Sequence, residues 1–161
     1  MCGMAKEIER KFIVESDAWR AAAGASKAIV QAYVAIDGDT SVRVRILGGA
    51  EARLTLKSGF SGMTRDEFEY PIPLADAHEL VAVSHGRLIE KTRHIVTLDG
   101  FDWEVDVFEG ALAGLVVAEV ELASEDDEPI LPPWLGREVT GDPAWTNAML
   151  ATNGRPEGSR R

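Results

Sequence analysis

The 161-residue sequence holds a single cysteine, Cys2, so no internal disulfide can form, and one thiol at a chain end suggests neither a redox pair nor a thiolate metal site. No apolar run approaches the ~18–20 residues that a membrane-crossing helix requires. The opening "MCGMAKEIER" lacks the apolar segment of a secretory signal, so a cytoplasmic protein without a membrane partner is expected. Basic residues are scarce: 17 Lys+Arg stand against 27 Asp+Glu, a formal net charge of −10. That balance argues against an extended phosphate-neutralising surface, and so against nucleic acid as a partner. The three histidines show no metal-ligand spacing. There is no Gly-rich phosphate loop and no Ser-His-Asp arrangement.

What is present is a dense alternation of turns and β-prone runs. "DGDT", "GGA", "SGFSGMT", "DG" and "EGALAG" carry the Gly and Asp that hairpins and loops favour. They separate eight expected strands, at roughly 6–14, 28–36, 41–47, 51–58, 65–73, 87–98, 101–108 and 115–123. The fold class is therefore mainly β (α+β): an eight-stranded antiparallel barrel or sandwich with a few flanking helices. Three helices are expected. One is "SDAWRAAAG", capped by Ser16 or Asp17; a second is "LADAHELVAVSHG", ending at Gly86; the third is a C-terminal helix with Asp142 as N-cap, Pro143 at its first position and Gly154 at its close. "SEDDEPILPPW" reads as a Pro-stiffened loop. One domain, 5–152, and a disordered tail, 153–161, complete the expected organisation.

The strands repeat one pattern. Successive side chains of a strand point to opposite faces, so "EIERKFIV" sets Glu7, Glu9 and Lys11 together, with Ile8 and Phe12 opposite. "SVRVRIL" aligns Arg43 with Arg45, and "RLTLK" puts Thr55 with Lys57. "DEFEYPI" aligns Glu67 with Glu69, "EKTRHIV" Lys91 with Arg93, "FDWEVDVF" Glu104 with Asp106, and "VVAEVEL" Glu119 with Glu121. Alternation alone describes any half-buried strand. Like charges at i and i+2 repel, however, and packing gains nothing from them. Their clustering makes sense when cationic and anionic strands face one another across a barrel interior. Burying so many charges is costly unless they pair or meet a ligand. Clustered Arg and Lys suit phosphate oxygens, and clustered carboxylates suit the Mg²⁺ or Mn²⁺ that accompanies a polyphosphate.

Those residues resemble a known family. "EIERK" looks like the ExExK signature of the CYTH superfamily, the triphosphate tunnel metalloenzymes. "RVR", "TLK", "EFEY", "EKTR", "EVDVF" and "AEVE" follow it in the order found in that family, over roughly residues 7–151. The resemblance implies a closed eight-stranded tunnel gripping a triphosphate, with Mg²⁺ or Mn²⁺ as cofactor. It implies phosphate-binding roles for Lys11, Arg43, Arg45, Lys57, Lys91 and Arg93. It implies metal ligation by Glu7, Glu9, Asp106, Glu119 and Glu121, with Glu67, Glu69 and Glu104 as supporting groups or a second metal site. Glu9, Lys91, Arg93 and Glu121 are the expected catalytic set. The expected substrate is inorganic tripolyphosphate, handled by a monomer or homodimer. The alternatives are a nucleoside or thiamine triphosphatase, an adenylate cyclase of the same superfamily, or a polyphosphate-binding module without turnover. "PAWTNAMLA" has no basic residue, so a cation reaching the tunnel from this end would have to be Arg137 or Arg155.

Overall fold

The computed structural model describes residues 6–156, with backbone alone at 60 and 61. Cys2 and the tail from 157 onward lie outside the described residues. Among the described residues nine strands form: β1 (Lys6–Val14), β2 (Ser26–Asp37), β3 (Thr40–Leu47), β4 (Glu51–Ser61), β5 (Thr64–Ile72), β6 (Leu88–Leu98), β7 (Phe101–Phe108), β8 (Val116–Glu121) and β9 (Leu135–Glu138). Their order is β5-β4-β3-β2-β6-β7-β8-β1-β9, and β1 pairs with β5 as well. The first eight therefore close into an antiparallel barrel, as expected. The ninth was not expected, because "LGRE" is only four residues long and follows a proline-rich stretch.

β1 is the strand on which closure depends. Along one edge it pairs with β8, from Glu9↔Glu121 to Ile13↔Val117. Its other edge is divided. Lys6, Glu7 and Ile8 pair with β5, and further along Phe12 and Val14 pair with β9. Gly136 allows β9 to come so close, since a Cβ there would sit 2.7 Å from the Ile13 carbonyl oxygen.

Two apolar layers cover the outside of the barrel. Phe12, Val14, Val96, Trp103, Val105, Ala118 and Val120 pack with Trp19 and Trp134. On the opposite wall, Val44, Ile46 and Ala52 lie under helix α1 (Leu74–Ala82) through Ala77. The first expected helix is one 3₁₀ stretch, Ala18–Ala22, with the Ser16 hydroxyl accepting from the Ala18 amide at 3.1 Å. The C-terminal helix is split. Asp142 caps a 3₁₀ turn at Pro143–Trp145, the extended Thr146 interrupts it, and Thr146 then caps α2 (Asn147–Asn153).

A third apolar cluster lies inside the barrel. Ile13, Ile89, Phe108 and Val117 have the same parity as the charged residues of their strands and pack with Tyr33, Leu115, Val139, Trp145 and Leu150. The interior is thus charged at one end and hydrophobic at the other. No described helix is long and apolar enough to cross a membrane.

Candidate active site

The charged end encloses a cavity of about 310 Å³. Twelve of the fourteen residues singled out in the sequence line it: Glu7, Glu9, Lys11, Arg43, Arg45, Lys57, Glu67, Glu69, Arg93, Glu104, Glu119 and Glu121. The register explains their convergence. Glu9 pairs with Glu121, Lys11 with Glu119, Glu104 with Glu119, and Lys57 with Glu67, so charges on adjacent strands stand side by side.

Most of the cations are held by carboxylates. Lys57 Nζ lies 2.8 Å from Glu7 and 3.7 Å from Glu67. Arg45 donates to Glu69 at 3.1 Å, and Thr55 donates to the same oxygen at 2.9 Å. Burial works against the charge of Glu69, but the Thr55 hydroxyl and Arg45 outweigh it and hold the pKa below the ordinary range. Lys11 Nζ is 3.1 Å from Glu119 and also donates to the Trp145 carbonyl at 3.1 Å. Burial opposes the charge of Glu119 too, yet Lys11 and Arg93 keep it strongly ionised.

Glu9 is the exception. Burial, with Glu119 and Glu7 close by, pushes its pKa up to about 8, and the charges of Lys57 and Lys11 do not offset this. A carboxylate pressed by other carboxylates in a closed space is short of positive charge. Its neighbour in register, Glu121, lines the same cavity. The donor set here is oxygen only, as a hard divalent cation requires. No three carboxylate, imidazole or thiol side chains among the described residues converge as a ready metal cage. That is compatible with Mg²⁺, which commonly takes one or two carboxylates and completes its shell with water and substrate phosphate.

Two of the fourteen residues lie deeper than the rest. Lys91 and Asp106 are each 2% exposed and do not reach the cavity wall. Arg93 holds both Asp106 oxygens, at 2.8 and 2.9 Å. Lys91 Nζ sits 2.7 Å from Oδ2 as an ion pair outside hydrogen-bond alignment, and it lies over the Phe108 ring. Lys91 and Asp106 therefore lie behind the wall that the other twelve residues form. Burial lowers the Lys91 pKa to about 8 despite Asp106. Asp106 itself stays below the ordinary range because Lys91 and Arg93 outweigh its burial.

Three further features belong to the lining. Arg65 shares the parity of Glu67 and Glu69 and was legible on that ground. Tyr33 enters from β2, with the buried Gln31 amide donating to its hydroxyl at 3.0 Å. The segment Val139–Ala148 runs along one side and contributes Thr140, Gly141, Asp142, Thr146 and Asn147, which no strand periodicity marks. Neither Arg137 nor Arg155 lines the cavity; Arg137 lies over the Trp145 ring at 5.8 Å.

Comparison with known proteins agrees with this geometry. Residues 5–143 match the CYTH domain. The chain belongs to the CYTH family. It is 44% identical over 153 residues to an inorganic triphosphatase of Acetivibrio thermocellus, covering 93% of this chain and 96% of that protein. An inorganic triphosphatase of Nitrosomonas europaea is 40% identical over 151 residues, covering 90% and 96%. A crystal structure of an inorganic triphosphatase superposes with TM-score 0.64 at 37% identity, covering 94% of this chain and 95% of that one. A protein from Pyrococcus horikoshii OT3, at 19% identity and TM-score 0.60 over 74% of this chain and 80% of that one, shares the fold.

Proposed function

We propose that this CYTH protein hydrolyses inorganic tripolyphosphate to pyrophosphate and phosphate, using a divalent cation, Mg²⁺ or Mn²⁺. The observation that carries the reading is the charge-lined cavity of about 310 Å³. It lies at the small end of the ~300–1,000 Å³ range of ligand sites, which suits a compact anion better than a nucleotide. The two relatives named inorganic triphosphatase, matching over nearly their whole length, support the same reading.

Lys11, Arg43, Arg45, Lys57 and Arg93 bind the phosphate oxygens, exchanging or sharing their present carboxylate partners. Arg93 keeps a fixed aim because Asp106 grips it from behind and Lys91 anchors Asp106 in turn. Glu9 and Glu121 would hold the cation, with Glu7 beside them. When bound, the cation supplies charge neutralisation and acidifies a coordinated water. The protein's own contribution is a set of positive groups already oriented where charge spreads in phosphoryl transfer, so they need no reorganisation during the reaction. Glu119, held ionised between Lys11 and Arg93, keeps both cations directed into the cavity. Glu67, Glu69 and Glu104 serve as counter-charges that hold the Arg and Lys side chains in place before substrate arrives.

The test is phosphate release from tripolyphosphate, ATP, thiamine triphosphate and pyrophosphate, with Mg²⁺, Mn²⁺ and no metal. Metal-dependent release, fastest from tripolyphosphate, is the expected outcome. Comparable release from ATP or thiamine triphosphate would shift the reading to an organic triphosphatase. No release, with tripolyphosphate still raising the melting temperature, would leave a binding module.

A further inference from the structure

The Lys11 ammonium donates to a backbone carbonyl, that of Trp145, at 3.1 Å. Trp145 belongs to the segment that leaves β9 and passes beside the cavity. What fixes this segment lies on the outside of the barrel. Arg10 points outward, with the opposite parity to Glu9 and Lys11, and its guanidinium binds Glu138 through two bonds of 2.8 and 2.7 Å. The Thr140 hydroxyl donates to Glu138 at 2.7 Å and accepts from the Lys11 backbone amide at 2.9 Å. The Val139 amide donates to the Lys11 carbonyl at 2.9 Å. Both backbone polar groups of Lys11 are therefore taken by the two residues that follow Glu138. The other side of the segment abuts the β4–β5 hairpin, where a Cβ on Gly141 would stand 3.1 Å from the Gly62 carbonyl oxygen.

We infer that Glu138, an outward-facing residue that touches no substrate, is a positioning residue for Lys11, acting through Thr140 and the segment up to Trp145. The bidentate pair with Arg10 aligns two carboxylate oxygens in a fixed plane, and Thr140 can serve both partners only while that plane holds. Because the Thr140 hydroxyl has a single proton, its donation to Glu138 leaves its lone pair turned to the Lys11 amide. Loss of the Glu138 acceptor frees that hydroxyl to rotate, and beyond β9 the segment keeps only the Val139–Lys11 backbone bond as a fixed tie to β1. Lys11 then meets the substrate from a wider range of positions. Such a change weakens ground-state and transition-state binding alike, so it raises KM and leaves kcat nearly unchanged. A purely scaffolding role would lower the melting temperature and leave KM where it was.

The inference rests on the proposed triphosphate site, and the test separates the two. Wild type, Glu138→Ala, Glu138→Gln and Thr140→Val are compared by steady-state hydrolysis of tripolyphosphate with Mg²⁺, by calorimetric Kd for tripolyphosphate and by melting temperature. Glu138→Ala and Thr140→Val are expected to raise both KM and Kd about tenfold with little change in kcat. Glu138→Gln keeps one oxygen to accept from Thr140 but gives up one arm of the Arg10 pair, and is expected to recover only part of the loss. Thr140→Val preserves the branched shape, so it answers the question even where Glu138→Ala folds poorly. An unchanged Kd in folded Ala and Val variants overturns the inference, as does a fall in kcat without change in Kd. Wild type that binds tripolyphosphate without turning it over defeats the triphosphatase reading, and the Kd comparison still decides the role of Glu138.

Discussion

The two ends of the barrel interior are built from the same strands, and they differ in what those strands place there. β1 reads Glu7, Glu9, Lys11 and then Ile13 along its inner face; β6 reads Arg93, Lys91 and then Ile89; β7 reads Glu104, Asp106 and then Phe108; β8 reads Glu121, Glu119 and then Val117. One end is a packed hydrophobic core capped by Trp145 and Leu150. The other keeps a cavity in which a carboxylate is pushed up to about 8 by burial and by the carboxylates beside it. The hydrophobic end stabilises the barrel, and the charged end holds like charges together at a cost in stability. The Lys91–Asp106–Arg93 group stands at the boundary: Lys91 and Asp106 are buried behind the cavity wall, and Asp106 holds Arg93, which lines the cavity.

Breaking the boundary should have the largest effect. Asp106→Ala leaves two cations buried beside each other and is expected to cost about 3–5 kcal/mol in urea unfolding, with turnover lost as Arg93 loses its aim. Leu115→Ala probes the hydrophobic end, where Leu115 is fully buried. A loss of about 2–5 kcal/mol is expected, with KM for tripolyphosphate unchanged. A smaller and pH-dependent effect belongs to Glu9. Its pKa is higher folded than unfolded, so its protonation favours the fold below about 4.5 and that contribution is lost as pH rises through about 8. Metal-free wild type should therefore lose melting temperature relative to Glu9→Gln between pH 5 and 8 (~the window set by the two pKa values), and saturating Mg²⁺ should close the gap. The smallest change is expected at the outer seam. Lys6→Met removes an exposed ion pair to Asp66, worth under ~1 kcal/mol, and turnover should not move.

Much of this was legible from side-chain parity. Alternating charges placed twelve cavity residues, because period two and a closed barrel leave little freedom about which face is inside. The division of the interior was readable in the same way, since Ile13, Ile89, Phe108 and Val117 continue the charged rows, although a charge-based reading stops where the charges stop. Asp106 and Lys91 lie deeper than the other charges for a reason that alternation does not carry. Parity gives the face but not the depth, and their register partners, Val117 and Phe108, bring them to the hydrophobic boundary. β9 and the segment after it left no trace, since four residues show no period and Thr140 owes its place to an ion pair between residues 128 positions apart.

The most direct measurement is turnover of tripolyphosphate by Glu9→Gln at saturating Mg²⁺, taken with its metal-free melting temperature. The charged end predicts a fall in kcat of about a hundredfold or more, the scale of losing one electrostatic contact to the transition state, while the melting temperature holds or rises. Turnover near that of wild type would contradict a cation held at Glu9, and with it the division of the barrel into a stabilising end and a reactive one.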